Sequence, residues 1–144
     1  KRSMKNPPFF LILAFGLLIA VVFPAGAVEY KKGLELAQAQ RFPEAIKEFQ
    51  PLAKQGHAGA QYHLGLFYHQ GRGVPVNYNE AMKWYRKAAA QGLANAQNNI
   101  GTMYKRGQGV KRNLSEAARW YRKAAPDNDL GHILIKRIPK GADL

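Results

Sequence analysis

A 34-residue segment occurs twice in this chain at an offset of 36, and no other feature narrows the possible folds so far. Gly56 to Ala89 reads GHAGAQYHLGLFYHQGRGVPVNYNEAMKWYRKAA, and Gly92 to Ala125 reads GLANAQNNIGTMYKRGQGVKRNLSEAARWYRKAA. They align without a gap, with 18 identities in 34 positions. A partial third copy precedes them. Glu44-Ala45-Ile46-Lys47 and Gln55-Gly56 fall 36 residues before Glu80-Ala81-Met82-Lys83 and Gln91-Gly92. A period of this length marks a stacked-repeat architecture.

Each unit decodes as two antiparallel helices. Ala60, Leu64, Phe67 and Tyr68 recur at helical spacing and give the first helix one apolar face. Gly71 stops that helix, because a left-handed terminal residue costs least as glycine. Gly73 and Val74 continue the turn. The second helix opens at Asn77 with Glu80 three residues on, the pattern of a capping box. Its stripe is Ala81, Trp84, Tyr85 and Ala88, and Gly92 ends it. Unit two repeats the grammar with Ala96, Ile100, Met103, Tyr104, Gly107, Asn113, Glu116, Ala117, Trp120, Tyr121 and Ala124. The small residues Ala60, Gly65, Ala81 and Ala88 allow close backbone approach, while Trp84 and Tyr85 are expected to fill the space toward the next unit. One helix pair cannot bury both its faces, so the units must stack into an all-α solenoid. No strand alternation competes with this.

The string Ala-x-Ala-Gln-x-x-(Leu/Ile)-Gly-x-x-Tyr-x-x-Gly-x-Gly-Val, followed by Asn-x-x-Glu-Ala-x-x-Trp-Tyr-Arg-Lys-Ala-Ala, resembles the Sel-one-like repeat (SLR), a relative of the tetratricopeptide repeat with a longer inter-helix turn. The resemblance covers Gly56–Ala125 fully and extends to about Tyr30. It implies an α/α solenoid acting as a scaffold or adaptor for a protein or peptide partner.

Around the repeats the chain divides further. Lys1, Arg2 and Lys5 precede an apolar run from Phe9 to Phe23, then Pro24-Ala25-Gly26-Ala27, which reads as a secretory signal peptide over 1–27 cleaved after Ala27. The competing reading is a retained membrane anchor, since no charge occurs from Asn6 to Val28. Either one places the repeats outside the cytoplasm, in the periplasm or secreted. Residues 28–56 form a partial tetratricopeptide-like hairpin with Pro43 at the start of its second helix. The two units occupy 57–92 and 93–126. In 127–144, Leu130, Ile133, Leu134 and Ile138 suggest an amphipathic capping helix ended by Pro139. So short an array makes self-association plausible.

Charge and composition then exclude several functions. The chain of 144 residues has no cysteine and a formal net charge of +13. Disulfides and Cys-ligated zinc are therefore impossible. It also lacks the cysteines of those relatives described as β-lactamase-like. Beyond the leader there is one serine, Ser115, and one threonine, Thr102, and no Ser-x-x-Lys, Gly-x-Ser-x-Gly or His-Glu-x-x-His. Ser115 sits at a helix start, and Asn113-Leu114-Ser115 is a formal glycosylation sequon that the same helix start explains. Glu44, Glu80 and Glu116 share one repeat position that suits helix starts. His57, His63 and His69 are six residues apart, so on one helix they point in three directions and cannot converge on one ion. Gly71-Arg72-Gly73 lacks the ending of a phosphate loop. No catalytic residue, metal or cofactor is expected.

Two surfaces remain as binding candidates. Opposite the Leu64 face of the first helix lie Tyr62, Leu66 and His69, with Asn98, Thr102 and Lys105 as their equivalents. All three pairs differ between units while scaffold positions mostly match, as befits a partner-binding groove. The second helices carry a basic ladder, Arg86-Lys87 and Arg122-Lys123, within a wider set of Lys83, Arg119, Lys111 and Arg112. A ladder of this kind suits an anionic glycan, a membrane surface or an acidic protein. Trp84 and Tyr85 read as internal, so no aromatic residue is expected beside these charges on an open face, which disfavours nucleic acid. The leading expectation is an exported, non-catalytic protein-binding scaffold at the cell envelope, with an anionic-polymer or membrane binder second and a hydrolase third.

Overall fold

The computed structural model describes residues 25–125. Residues 1–24, most of the expected leader, and 126–144, the expected C-terminal cap with Leu130, Ile133, Leu134 and Ile138, lie outside them. The described residues form nothing but helix and turn: α1 (Ala25–Gln38), α2 (Phe42–Lys54), α3 (Ala58–Gln70), α4 (Tyr78–Ala90), α5 (Ala94–Arg106) and α6 (Leu114–Ala124). Each helix packs chiefly on its neighbours in sequence, α1 on α2, α3 on α4 and α5 on α6 within pairs, with α2 on α3 and α4 on α5 between them. Helix α1 begins before the expected cleavage point at Ala27 and runs through it.

Helix ends follow the local chemistry. Gly71 and Gly107 terminate α3 and α5 in the left-handed region, at φ 66° and 68°. The Asn77 side chain accepts the Glu80 amide at 3.0 Å, and Asn113 accepts that of Glu116 at 2.8 Å. The reciprocal half of the expected capping box is replaced. The Asn77 and Asn113 amides donate instead to the carbonyls of Tyr68 and Tyr104, at 2.8 and 2.9 Å, across the inter-helix turn. Those amides being satisfied, the Glu80 and Glu116 carboxylates take Lys83 and Arg119.

The core falls into two clusters that do not coincide with the sequence repeats. The first joins α2 to α3 through Ala45, Ile46, Phe49, Leu52, Ala60, Leu64 and Phe67. The second joins α4 to α5 through Ala81, Met82, Tyr85, Ala88, Ala96, Ile100 and Met103. Trp84 belongs to the first cluster, so its ring turns back onto α2 and α3 and away from unit two; only Tyr85 points forward as the sequence suggests. Position on a helical wheel gives the angle around a helix but not which neighbour occupies that angle.

A glutamine at each joint closes the backbone hydrogen bonding. Gln61, 4% exposed, donates through Nε2 to the Ala53 carbonyl at 3.0 Å, and Gln97, also 4% exposed, donates to Ala89 at 3.2 Å. Each thereby supplies a donor to a carbonyl in the last turn of the preceding helix, where the intrahelical partners run out. Gln91 adds a second tie, from Nε2 to Gln61 Oε1 at 2.8 Å and to the Gly56 carbonyl at 2.9 Å. Among the described residues no buried side-chain polar atom lacks a partner. Replacing Gln97 by Leu keeps the volume roughly but removes this buried hydrogen bond and leaves the Ala89 carbonyl to the Gly92 amide, so Gln97→Leu is expected to cost about 0.5–1.5 kcal/mol. Urea unfolding followed by tryptophan fluorescence measures this, and an unchanged midpoint would show that the joint is held by packing alone.

Candidate partner interface

The first-helix candidates divide by unit. Tyr62 and Leu66 are half-buried and pack against the α4–α5 core. His69 bridges the units, with Nε2 at 3.0 Å from Gln108 Oε1 and Nδ1 at 3.4 Å from the Tyr85 hydroxyl. These geometries suit an imidazole that donates from Nε2 to the amide oxygen and accepts the phenol O–H at Nδ1. In unit two the equivalents are freer. Asn98 and Lys105 are exposed, while the Thr102 hydroxyl contacts the Asn98 carbonyl at 3.2 Å and the Tyr121 hydroxyl at 3.1 Å. The six residues therefore do not form one open row. Tyr62, Leu66 and His69 lie along the seam that unit two closes, and Asn98 and Lys105 are the members open to a partner. Tyr62 and Leu66 thus have a packing role, since both meet the core that joins α4 to α5.

The histidines also separate. His57 is the N-terminal cap of α3, its Nδ1 accepting the Ala60 amide at 3.1 Å. His63 stacks on Phe49, with ring centroids 4.9 Å apart and planes 8° from parallel. No group of three His, Asp or Glu residues able to hold a metal ion occurs among the described residues.

Burial holds the His63 imidazole below its ordinary range. A neutral ring is thus favoured by the fold, and the unfolded chain binds the proton more readily. Stability from this residue is complete above the ordinary value of about 6.5 and is lost as pH falls from there through the lower folded value. The melting temperature is expected to fall between pH 7.5 and pH 5, and the His63→Leu variant to show a flatter profile across that window. Equal slopes in both proteins would assign the acid sensitivity elsewhere.

The second helices present a different surface. Lys83, Arg86, Lys87, Arg119, Arg122 and Lys123 are all exposed. Trp84 is buried as the sequence suggests, yet its ring and that of Trp120 still carry lysine ammonium groups. The Lys87 ammonium sits 4.8 Å from the centroid of Trp84, and that of Lys123 sits 5.1 Å from Trp120, which is half-buried. Arg86 donates from Nη2 to the Tyr104 hydroxyl at 3.1 Å. Glu116, Arg119, Trp120 and Lys123 line a shallow depression of about 140 Å³ on α6. Among the described residues no helix is long and apolar enough to cross a membrane.

Comparison with known proteins bears directly on this architecture. The family model described as "Sel1 repeat" matches residues 58–93 and 94–126. A Sel1 repeat protein from Oxalobacter formigenes superposes with a TM-score of 0.68 at 36% sequence identity, over 74% of this chain and 44% of that one. The structure of c5321, described as a protective antigen present in uropathogenic Escherichia coli strains displaying an SLR fold, gives a TM-score of 0.68 at 35% identity, over 74% of this chain and 24% of that one. The chain spans less than half the length of either protein. No curated protein matches it.

Proposed function

Residues 58–93 and 94–126 are Sel1 repeats, a family that typically mediates protein–protein interaction, and from that premise we propose that the chain is an exported, non-catalytic scaffold for a protein partner at the cell envelope. The supporting observation is the employment of its polar groups. Asn77, Asn113 and His57 cap helices, Gln61 and Gln97 close the joints, and Glu80 and Glu116 are paired with cations. Among the described residues these groups are engaged in holding the array, and repeat-related exposed faces are what it offers to others. The leader sequence, with Lys1, Arg2 and Lys5 before the Phe9–Phe23 run and Ala25-Gly26-Ala27 after it, supports export.

Photo-crosslinkers placed at Asn98, Lys105, Arg86 and Arg122 in the full chain, irradiated in cell-envelope fractions, test the scaffold reading. Discrete protein adducts at a subset of these positions are expected, and an absence of adducts at all four would count against a protein partner. N-terminal sequencing of the same material tests export: a chain beginning at Val28 is the expected product, whereas an intact leader in the membrane fraction would make it an anchor.

A further inference from the structure

Charge is distributed unevenly along the array. Residues 25–56 hold five Lys+Arg and four Glu, whereas residues 57–125 hold eleven Lys+Arg and only Glu80 and Glu116. Both of those carboxylates are already paired, Glu80 with Lys83 at 3.3 Å and Glu116 with Arg119 at 2.6 Å. The ladder residues Arg86, Lys87, Arg122 and Lys123 are positioned by other means. Rings of Trp84 and Trp120 hold the two ammonium groups, and the Tyr104 hydroxyl holds the Arg86 guanidinium. A cation held by a π face or a hydroxyl is fixed in place but keeps its full charge. Lys87 in the last turn of α4, and Arg122 and Lys123 in that of α6, complement the helix dipoles. The dipole accounts for where the charges lie, but not for why the second-helix lysines rest on tryptophans at the same repeat position.

We infer that this second-helix face binds an acidic polypeptide segment, its carboxylates meeting Arg86-Lys87 on α4 and Arg122-Lys123 on α6 in repeat register. The inference rests on the scaffold reading and gives the partner its chemistry. Guanidinium groups match carboxylates in a planar fork. Other anions fit less well. Stacking a sugar or a nucleobase needs a free aromatic face, and here the lysine ammonium groups lie over the tryptophan rings. A lipid surface would want an apolar anchor beside the charges, yet the large hydrophobic residues exposed among the described ones are Val28 and Val76, neither of them on α4 or α6.

The test uses the full chain and a fluorescein-labelled 20-residue peptide of Glu and Gly, with the Gln version as control, read by anisotropy between about 20 and 150 mM NaCl. Binding of the Glu peptide alone is expected, weakening steeply with salt. The variant Arg86→Gln/Lys87→Gln/Arg122→Gln/Lys123→Gln should lose at least about tenfold in affinity, whereas Lys31→Gln/Lys47→Gln/Lys54→Gln/Arg106→Gln, with the same loss of charge, should lose less than about twofold. All eight side chains are exposed, so both variants should keep the melting temperature of the parent. Equal losses in the two variants would overturn the inference, reducing the effect to net charge. Tighter binding to phosphatidylglycerol vesicles or to polygalacturonate than to the peptide would overturn it in favour of a membrane or a glycan. Protein crosslinks that persist in the ladder variant would sink this inference while leaving the scaffold reading intact, and a loss of all protein adducts from the parent chain would remove both.

Discussion

Tyr85→Ala is expected to destabilise the array by about 3–5 kcal/mol, the range for emptying an aromatic site in a packed core. The Tyr85 side chain is fully buried. Its ring lies so close over Gly65 that a Cβ there would sit 2.5 Å from two ring carbons. Tyr62 and His69 flank it with centroids 6.1 and 6.0 Å away. Burial pushes the phenol well above its ordinary range, so the O–H remains a donor at all working pH values. Because Gly65 cannot collapse into the vacated space, the cavity should persist. Tyr85→Phe removes only the hydroxyl and its contacts with His69 and Asn99, at a cost of about 1 kcal/mol. Urea unfolding of the three proteins gives the comparison. If the alanine variant loses no more than the phenylalanine variant, the ring is not the wedge between α3 and α4.

Gly109→Ala should cost nearly as much for a different reason. Gly109 has φ +68°, and a Cβ there would lie 2.9 Å from both the carbonyl carbon and oxygen of Tyr78. Those atoms are backbone at the first residue of α4, so no rotamer change can relieve them. Left-handed strain contributes roughly 1–2 kcal/mol, and overpacking contributes about 1–3 kcal/mol more. Gly92→Ala isolates the first contribution, since Gly92 has φ +87° and nothing within 4 Å of its added Cβ. Thermal melts should therefore rank parent, Gly92→Ala and Gly109→Ala in descending order. Equal melting temperatures for the two variants would mean that the turn moves off α4 at little cost.

Much of this fold is legible in the sequence because its punctuation is local. Gly71 and Gly107 end helices, and Asn77 and Asn113 begin them, through bonds spanning a few residues. Contacts between units are less legible. The wheel identifies Trp84 and Tyr85 as inward but not that they enter different cores. It sets Tyr62, Leu66 and His69 opposite Leu64, yet whether that side meets solvent depends on the unit that follows. Gln61 and Gln97 are polar, yet both are buried. A signal for them was present: a glutamine kept at the same place in two copies, between alanines and a leucine or isoleucine, on a face otherwise free of polar groups. Finding its partner, a carbonyl eight residues upstream, requires the angle at which one helix meets the next.

The placement of those glutamines has a consequence for how such an array can change length. Every joint consists of a donor at the start of one unit and an acceptor at the end of the one before, and the donor and acceptor are alike at both joints: Gln61 with Ala53, and Gln97 with Ala89. Excising residues 58–93 would bring Gln97 to the place of Gln61, opposite Ala53, and duplicating them would create a further pairing of the same kind. The two junctions share this one coupling, although the side chains packed around it differ. Array length can therefore be altered by a whole period with this coupling kept, while a deletion of any other length leaves a donor or an acceptor facing the wrong counterpart.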